Sequence, residues 1–232
     1  MTDVTIRAKD GGTFYGYLAT PAGGAKAPGV VVIQEIFGVN KVMRDITDGL
    51  AAQGFTALCP DLFWRQEPGI QITDQTEAEW ARAFELYKGF DIAKGVDDLA
   101  ATLDFLRAHP SCTGKVGAVG YCLGGKLAFL MATRTSIDAA VGFYAVAIDE
   151  NLGEAANIKR PVMLHVAEKD QFVPPEAQTK VKQGLAGNSN VTIHSYAGMD
   201  HAFARVGGAH YDAQAAKLAN QRTADFFKQH LS

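Results

Sequence analysis

The chain has 232 residues, with 22 basic and 25 acidic side chains and a formal net charge of −3. That length can bury a sizeable core as one α/β domain or two small ones, and charge this mild and interspersed offers no basic stripe for nucleic acid or an anionic membrane. The start, Met-Thr-Asp-Val-Thr, lacks the basic and apolar segments of a signal peptide, and no apolar run approaches the length of a bilayer span. The three cysteines, Cys59, Cys112 and Cys122, are odd in number and form no CxxC pair. They argue against a disulfide framework or a zinc site and fit a reducing cytoplasm.

In chain order, residues 4–8 and 13–19 alternate as a hairpin about Asp10-Gly11-Gly12, and residues 21–28 form a loop. Val30-Val-Val-Ile33 is a continuous apolar run, as in a strand buried on both faces. A helix over 40–52 leads to a strand over 55–59, and helices follow over 76–88 and 91–108. In the last of these, Val96, Leu99, Ala100, Leu103 and Leu106 keep helical spacing. Strands are expected over 116–120, 139–144, 162–166 and 191–196, and helices over 123–133, 175–186 and 211–229. Such alternation predicts an α/β fold with a mostly parallel central sheet and helices on both faces. Ligands then bind at the carboxyl ends of the strands.

Just past the strand at 116–120 comes Gly120-Tyr-Cys122-Leu-Gly124-Gly125, the cysteine form of the G-x-S-x-G nucleophile elbow. A sharp strand-to-helix turn strains the nucleophile's backbone, and glycines beside it avoid a Cβ clash. The helix N-terminus then favours thiolate over thiol at Cys122 and supplies amides to a developing oxyanion. The blander reading, a small buried apolar cysteine, is retained for Cys59 and Cys112, which lack flanking elbow glycines.

Chain order in such elbows runs nucleophile, acid, histidine. After Cys122, the strand at 162–166 runs into Ala167-Glu-Lys-Asp170, and Asp170 is preferred over Glu168 because Gln171-Phe-Val-Pro-Pro175 turns the chain directly after it. The strand at 191–196 leads to Ala197-Gly-Met-Asp-His201, a glycine-containing loop suited to a general base. His165 and His194 lie within strands and read as core or surface residues, and no HExxH or similar spacing suggests a metal.

With elbow and partners in place, the chain resembles the dienelactone hydrolase family, the carboxymethylenebutenolidases, nearly end to end. The resemblance rests on Gln34-Glu-Ile-Phe-Gly-Val-Asn40, Cys59-Pro-Asp-Leu62, residues 117–125 and His201-Ala-Phe-Ala-Arg205. It implies a single α/β-hydrolase domain over 1–232 and a Cys122–His201–Asp170 triad working through a thioester. It further implies a monomer that acts on a small-molecule lactone or activated ester without cofactor or metal. Glu35, on its own residues either a solvent-facing strand end or a partnered buried charge, matches a glutamate that contacts the resting thiol and swings away when an anionic substrate binds. The amides of Leu123 and Ile36 match oxyanion donors. Arg205 matches one of two arginines that hold the carboxylate of dienelactone, while Trp80 stands at the place of the other. Arg82 is two positions along the same helix, rotated by about 200°. An aromatic there favours a bulkier or less acidic substrate, so a broad carboxylesterase or thioesterase is the alternative reading. A non-catalytic ligand-binding protein of the same fold and a redox role for Cys122 are the remaining ones.

Overall fold

The computed structural model describes residues 2–232 and divides into two compact units, one reaching Val116 and the other Gly117–Ser232. In the first, β1 (Thr2–Arg7) and β2 (Thr13–Ala19) pair antiparallel with Ile6 opposite Phe14, and both side chains are buried. Their turn places Gly11 at φ 94°, in the left-handed region that side chains disfavour. β2 runs antiparallel to β4 (Thr56–Pro60), and β4 parallel to β3 (Ala27–Ile33), giving the order β1-β2-β4-β3. Val30 to Ile33 are fully buried, as their unbroken apolar run requires.

Three helices complete this unit: α1 (Lys41–Ala52), α2 (Glu77–Lys88) and α3 (Ile92–Ala108). Each begins where a polar side chain caps it: Asn40 accepts from the Met43 amide, Thr76 from Glu79 and Asp91 from Lys94. At α2 the cap is reciprocal, since the Glu79 carboxylate accepts the Thr76 hydroxyl at 2.9 Å. These caps start the helices within one residue of the spans expected from the sequence.

β5 (Cys112–Tyr121) leads into the second unit, where β5, β6 (Ala139–Phe143), β7 (Val162–Ala167) and β8 (Val191–Tyr196) lie parallel in that order. The register sets Tyr121 beside Phe143, Phe143 beside His165 and His165 beside His194. The strands therefore end nearly level, and the segments after β5, β7 and β8 emerge at one edge. α4 (Leu123–Arg134) is buried from Leu123 through Thr133. α5 (Pro175–Leu185) follows β7, and α6 (Ala213–Leu231) closes the chain. A Cβ on Gly117 would stand 2.8 Å from Cε1 of Phe227, so glycine in β5 lets α6 lie this close.

Two differences from the sequence reading have simple causes. β5 starts at Cys112, because residues 112–115 alternate in burial and fall outside the continuous apolar run. Asp149–Asn157 forms a 3-10 helix with no buried residue, so it carries no apolar period to detect. Among the described residues, no helix is long and apolar enough to cross a membrane.

Candidate active site

Cys122 occupies the joint between β5 and α4 with φ 56° and ψ −116°, a strained conformation for a residue with a side chain. The neighbouring glycines are steric necessities. A Cβ on Gly120 would lie 1.9 Å from the Gly124 carbonyl oxygen, and one on Gly125 would lie 2.7 Å from Cβ of Ala145. The Cys122 amide donates to the Phe143 carbonyl at 3.1 Å, and its own carbonyl accepts from the Gly125 amide at 3.0 Å. These bonds fix the turn to β6 on one side and to the first turn of α4 on the other. No acidic side chain occupies that first turn, so the positive end of the helix dipole acts on Cys122 undiminished. Cys122 is half-buried, whereas Cys59 and Cys112 are buried and all three thiols are free. Burial, and then the charge of Asp61, push the Cys59 thiol well up, which suits an inert core residue.

His201 follows β8 and is 5% exposed. Its Nδ1 stands 2.8 Å from Oδ2 and 3.0 Å from Oδ1 of Asp170, which leaves Nε2 turned away from the acid. Burial alone would lower the imidazole pKa. The Cys122 charge, hydrogen bonds to Asp170 and Cys122, and the Asp170 charge outweigh it and raise the pKa to about 10. The physical cause is the Asp170 carboxylate and the Cys122 side chain beside one ring, which favour its protonated form.

Asp170 is buried three residues past the end of β7, while Glu168 is exposed. The acid is held firmly. Its Oδ1 accepts from the Phe172 amide at 2.8 Å, and Nε2 of the buried Gln178 donates to the carbonyls of Ala167, Glu168 and Val173, which bracket the loop. The rings of Tyr144 and Phe172 meet His201 edge-on, with centroids 5.0 Å and 4.8 Å away. Tyr144 holds a φ of 36°, a second strained residue beside the site. Neither Gln178 nor Tyr144 carries a motif, and only proximity to strand ends could have flagged them.

Leu123, whose amide was expected to serve an oxyanion, is the first residue of α4 and fully buried. Arg205 is 7% exposed, which separates it from the solvated surface arginine that its type suggests. In the other unit, Glu35 and Ile36 are buried directly after β3. Trp80 is fixed on α2 by its Nε1 donating to the Asp74 carbonyl at 3.0 Å, by an edge contact with Phe37 and by stacking on Phe84. Arg82 pairs with Glu67 and, at 2.5 Å, with Glu85, so its guanidinium is engaged with two carboxylates of its own unit. Among the described residues, no group of three or more His, Cys, Asp or Glu side chains is placed to hold a metal ion.

His165 has a different use. It is fully buried in β7, with Nδ1 2.8 Å from the Tyr196 hydroxyl and Nε2 3.0 Å from the Thr223 hydroxyl. Burial first, and then the charges of His194 and Arg222, lower its pKa to about 3. The unfolded chain binds a proton at this residue from about pH 6.5 downward, while the folded chain refuses it until about pH 3. The resulting stability is complete above that window and drains away as the pH falls through it. Urea midpoints measured from pH 7 to 4 should decline more steeply for the wild type than for His165→Gln, which has no proton to take up.

Residues 14–231 match the profile of the family described as the dienelactone hydrolase family. An Azospirillum brasilense protein provisionally named a carboxymethylenebutenolidase is 55% identical, over 100% of both chains. The carboxymethylenebutenolidase of Pseudomonas putida is 42% identical over 96% of this chain and 94% of its own. Among solved structures, a protein from Klebsiella pneumoniae subsp. pneumoniae, provisionally named a dienelactone hydrolase, superimposes with a TM-score of 0.87 at 28% identity and covers 98% of each chain. That likeness, spanning both units, makes the fold an α/β-hydrolase fold of the mostly parallel kind expected from the sequence.

Proposed function

The chain belongs to the dienelactone hydrolase family, and from that premise we propose that it opens lactones or cleaves activated esters through a Cys122–His201–Asp170 triad. That the protein is a hydrolase of lactone or ester bonds follows from the family; the nucleophile and the covalent intermediate are the proposal. The observation that carries it is the buried His201 ring, whose Nδ1 stands 2.8 Å from the Asp170 carboxylate and whose pKa is raised by the neighbouring Cys122 and Asp170 side chains. A free cysteine titrates at roughly 8.5, so a thiolate near neutrality needs a positive neighbour and a helix N-terminus, and Cys122 has both.

In the proposed reaction the Cys122 thiolate attacks the carbonyl carbon, and the oxyanion rests on the amides of Leu123 and Ile36. Collapse breaks the ester C–O bond. The departing oxygen takes the proton of the His201 imidazolium, leaving a thioester and a neutral imidazole. His201 then removes a proton from water as that water adds to the thioester. The second collapse releases the carboxylic acid and returns the thiolate beside an imidazolium. Asp170 holds Nδ1–H throughout and so keeps the ring in the productive orientation. Thiolate is a better leaving group than an amide nitrogen, so ordinary amides are poor substrates.

Arg205 supplies the cation for a substrate carboxylate in this reading, and Glu35 restrains the thiol until such an anion arrives. A single chain acting in the cytoplasm, without cofactor, completes it. A second reading, broad esterase or thioesterase activity, is favoured by α2. The helix carries the anchored indole of Trp80 at the position of the family's second arginine, and Arg82 is already paired with Glu67 and Glu85.

One comparison tests both. Values of kcat/KM are measured for dienelactone, a neutral lactone and p-nitrophenyl acetate, with wild type and with Arg205→Ala. An anion-reading site loses about tenfold through KM on dienelactone alone, as expected for one charged contact. An equal effect on all three substrates removes Arg205 from anion recognition, and a wild type that prefers the neutral esters selects the second reading. No turnover of any of them overturns the proposal.

A further inference from the structure

The histidine loop and the acid loop are joined by a side chain that takes no part in the chemistry above. Oδ1 of Asp200 accepts two backbone N–H groups, that of His201 at 2.6 Å and that of Gln171 at 3.1 Å. His201 is the proposed base, and Gln171 directly follows the proposed acid, Asp170. One oxygen therefore stands between the residue that carries the ring and the residue beside the carboxylate that orients it. Beyond the bond from the Glu168 amide to the Tyr196 carbonyl at 3.2 Å where the strands end, these loops are joined on the backbone by the Lys169 amide donating to the Met199 carbonyl at 2.8 Å. Asp200 itself follows Met199, so the two links are consecutive and act as a two-point hinge pin.

We infer that Asp200 is a positioning residue: its carboxylate oxygen sets the separation of the His201 and Asp170 loops, and so the alignment of the imidazole between Asp170 and Cys122. The inference rests on the triad reading above. Its physical basis is the steep dependence of proton transfer on geometry, for which a displacement of about 1 Å can cost about a hundredfold in rate. The role requires an acceptor at Oδ1 and no charge. Desolvation works against the Asp200 carboxylate, but the hydrogen bonds from the His201 and Gln171 amides, with the charges of His210 and His201, hold its pKa below the usual value. The side chain is 28% exposed, and the other oxygen is 3.7 Å from Nδ1 of His210. Water can thus replace part of what truncation removes, and the fold should survive it.

The experiment compares Asp200→Ala with Asp200→Asn, using p-nitrophenyl acetate, and records kcat, KM and the melting temperature of each. Asp200→Ala removes the acceptor and should lower kcat by about 10- to 100-fold with KM little changed, the range in which loss of an orienting outer partner falls. Asp200→Asn keeps an oxygen for both amides and should restore kcat to within about threefold of wild type. A residue that merely stabilises the loops would lower the melting temperature and leave kcat in place, and that result overturns the inference. An Asp200→Asn variant as slow as Asp200→Ala also overturns it, since charge rather than the shared acceptor would then be at work. The Asn variant decides the matter by itself if the alanine variant does not fold. Cys122→Ala run in parallel separates the two levels: activity surviving there defeats the triad, whereas loss there with unchanged Asp200→Ala kinetics defeats this inference alone.

Discussion

Cys122→Ala abolishes turnover of lactones and aryl acetates, with kcat/KM falling by about 10⁴-fold or more, the scale set by removing the nucleophile from a triad enzyme. The choice of alanine matters. Position 122 holds φ 56°, and alanine meets the same backbone strain as cysteine, whereas glycine would relieve it and confuse a chemical effect with a conformational one. The elbow itself depends on Gly120 and Gly125, which the substitution leaves alone, so the melting temperature should stay near that of wild type. His201 responds as well. The Cys122 charge is the foremost influence raising its pKa to about 10, and the variant loses it, so the imidazole titrates closer to its ordinary range. An NMR titration of the His201 ring reads this directly. Activity retained in Cys122→Ala excludes the cysteine from the mechanism, and a ring that still titrates near 10 shows that the thiolate does not hold the imidazolium.

How far these residues announce themselves depends on whether their role is written in local pattern or in the meeting of distant segments. The elbow is legible because its constraints are local. A glycine is required at position 120 by the carbonyl of Gly124 four residues on, and that requirement survives as a string of letters. Asp170 is legible for a similar reason: it lies just beyond an apolar strand, and the chain turns directly after it over residues 171–173 before Pro175 opens α5. The helix starts at Asn40, Thr76 and Asp91 are likewise marked by their caps.

The rest of the site is made by contacts between parts of the chain far apart in sequence. Gln178 looks like any polar residue on an amphipathic helix, yet its Nε2 closes the acid loop, because α5 folds back over the end of β7. His165 could be read as core or surface. Its placement in the core is decided by Tyr196 and Thr223, which lie 31 and 58 residues later. Arg205 is buried although arginine as a type is not, and no sequence window reports that. Trp80 shows the opposite case. The residue is conspicuous in the sequence, but its anchoring to the Asp74 carbonyl and against Phe37 and Phe84 is not.

Asp170→Asn separates orientation of the base from its mere presence, and it should lower kcat by about 10³- to 10⁴-fold while leaving the elbow intact. The carboxamide can still occupy the space, but it no longer offers two negative oxygens to Nδ1–H, now 2.8 and 3.0 Å away. Part of what raises the His201 pKa is thereby lost. Under the proposed triad, alkylation of Cys122 by iodoacetamide at pH 7 should slow, because the ring that activates the thiol is less well oriented. The stability consequence has a definite sign. A histidine whose pKa rises on folding from 6.5 to about 10 contributes its full stabilisation below 6.5 and loses it as the pH climbs through about 10. The gap in melting temperature between wild type and Asp170→Asn should therefore be wide near pH 6 and close toward pH 10. Glu168→Gln, altering the exposed carboxylate two residues earlier, should change neither kcat nor that gap. A gap that does not depend on pH, or a loss of kcat with Glu168→Gln in place of Asp170→Asn, would show that another group orients His201.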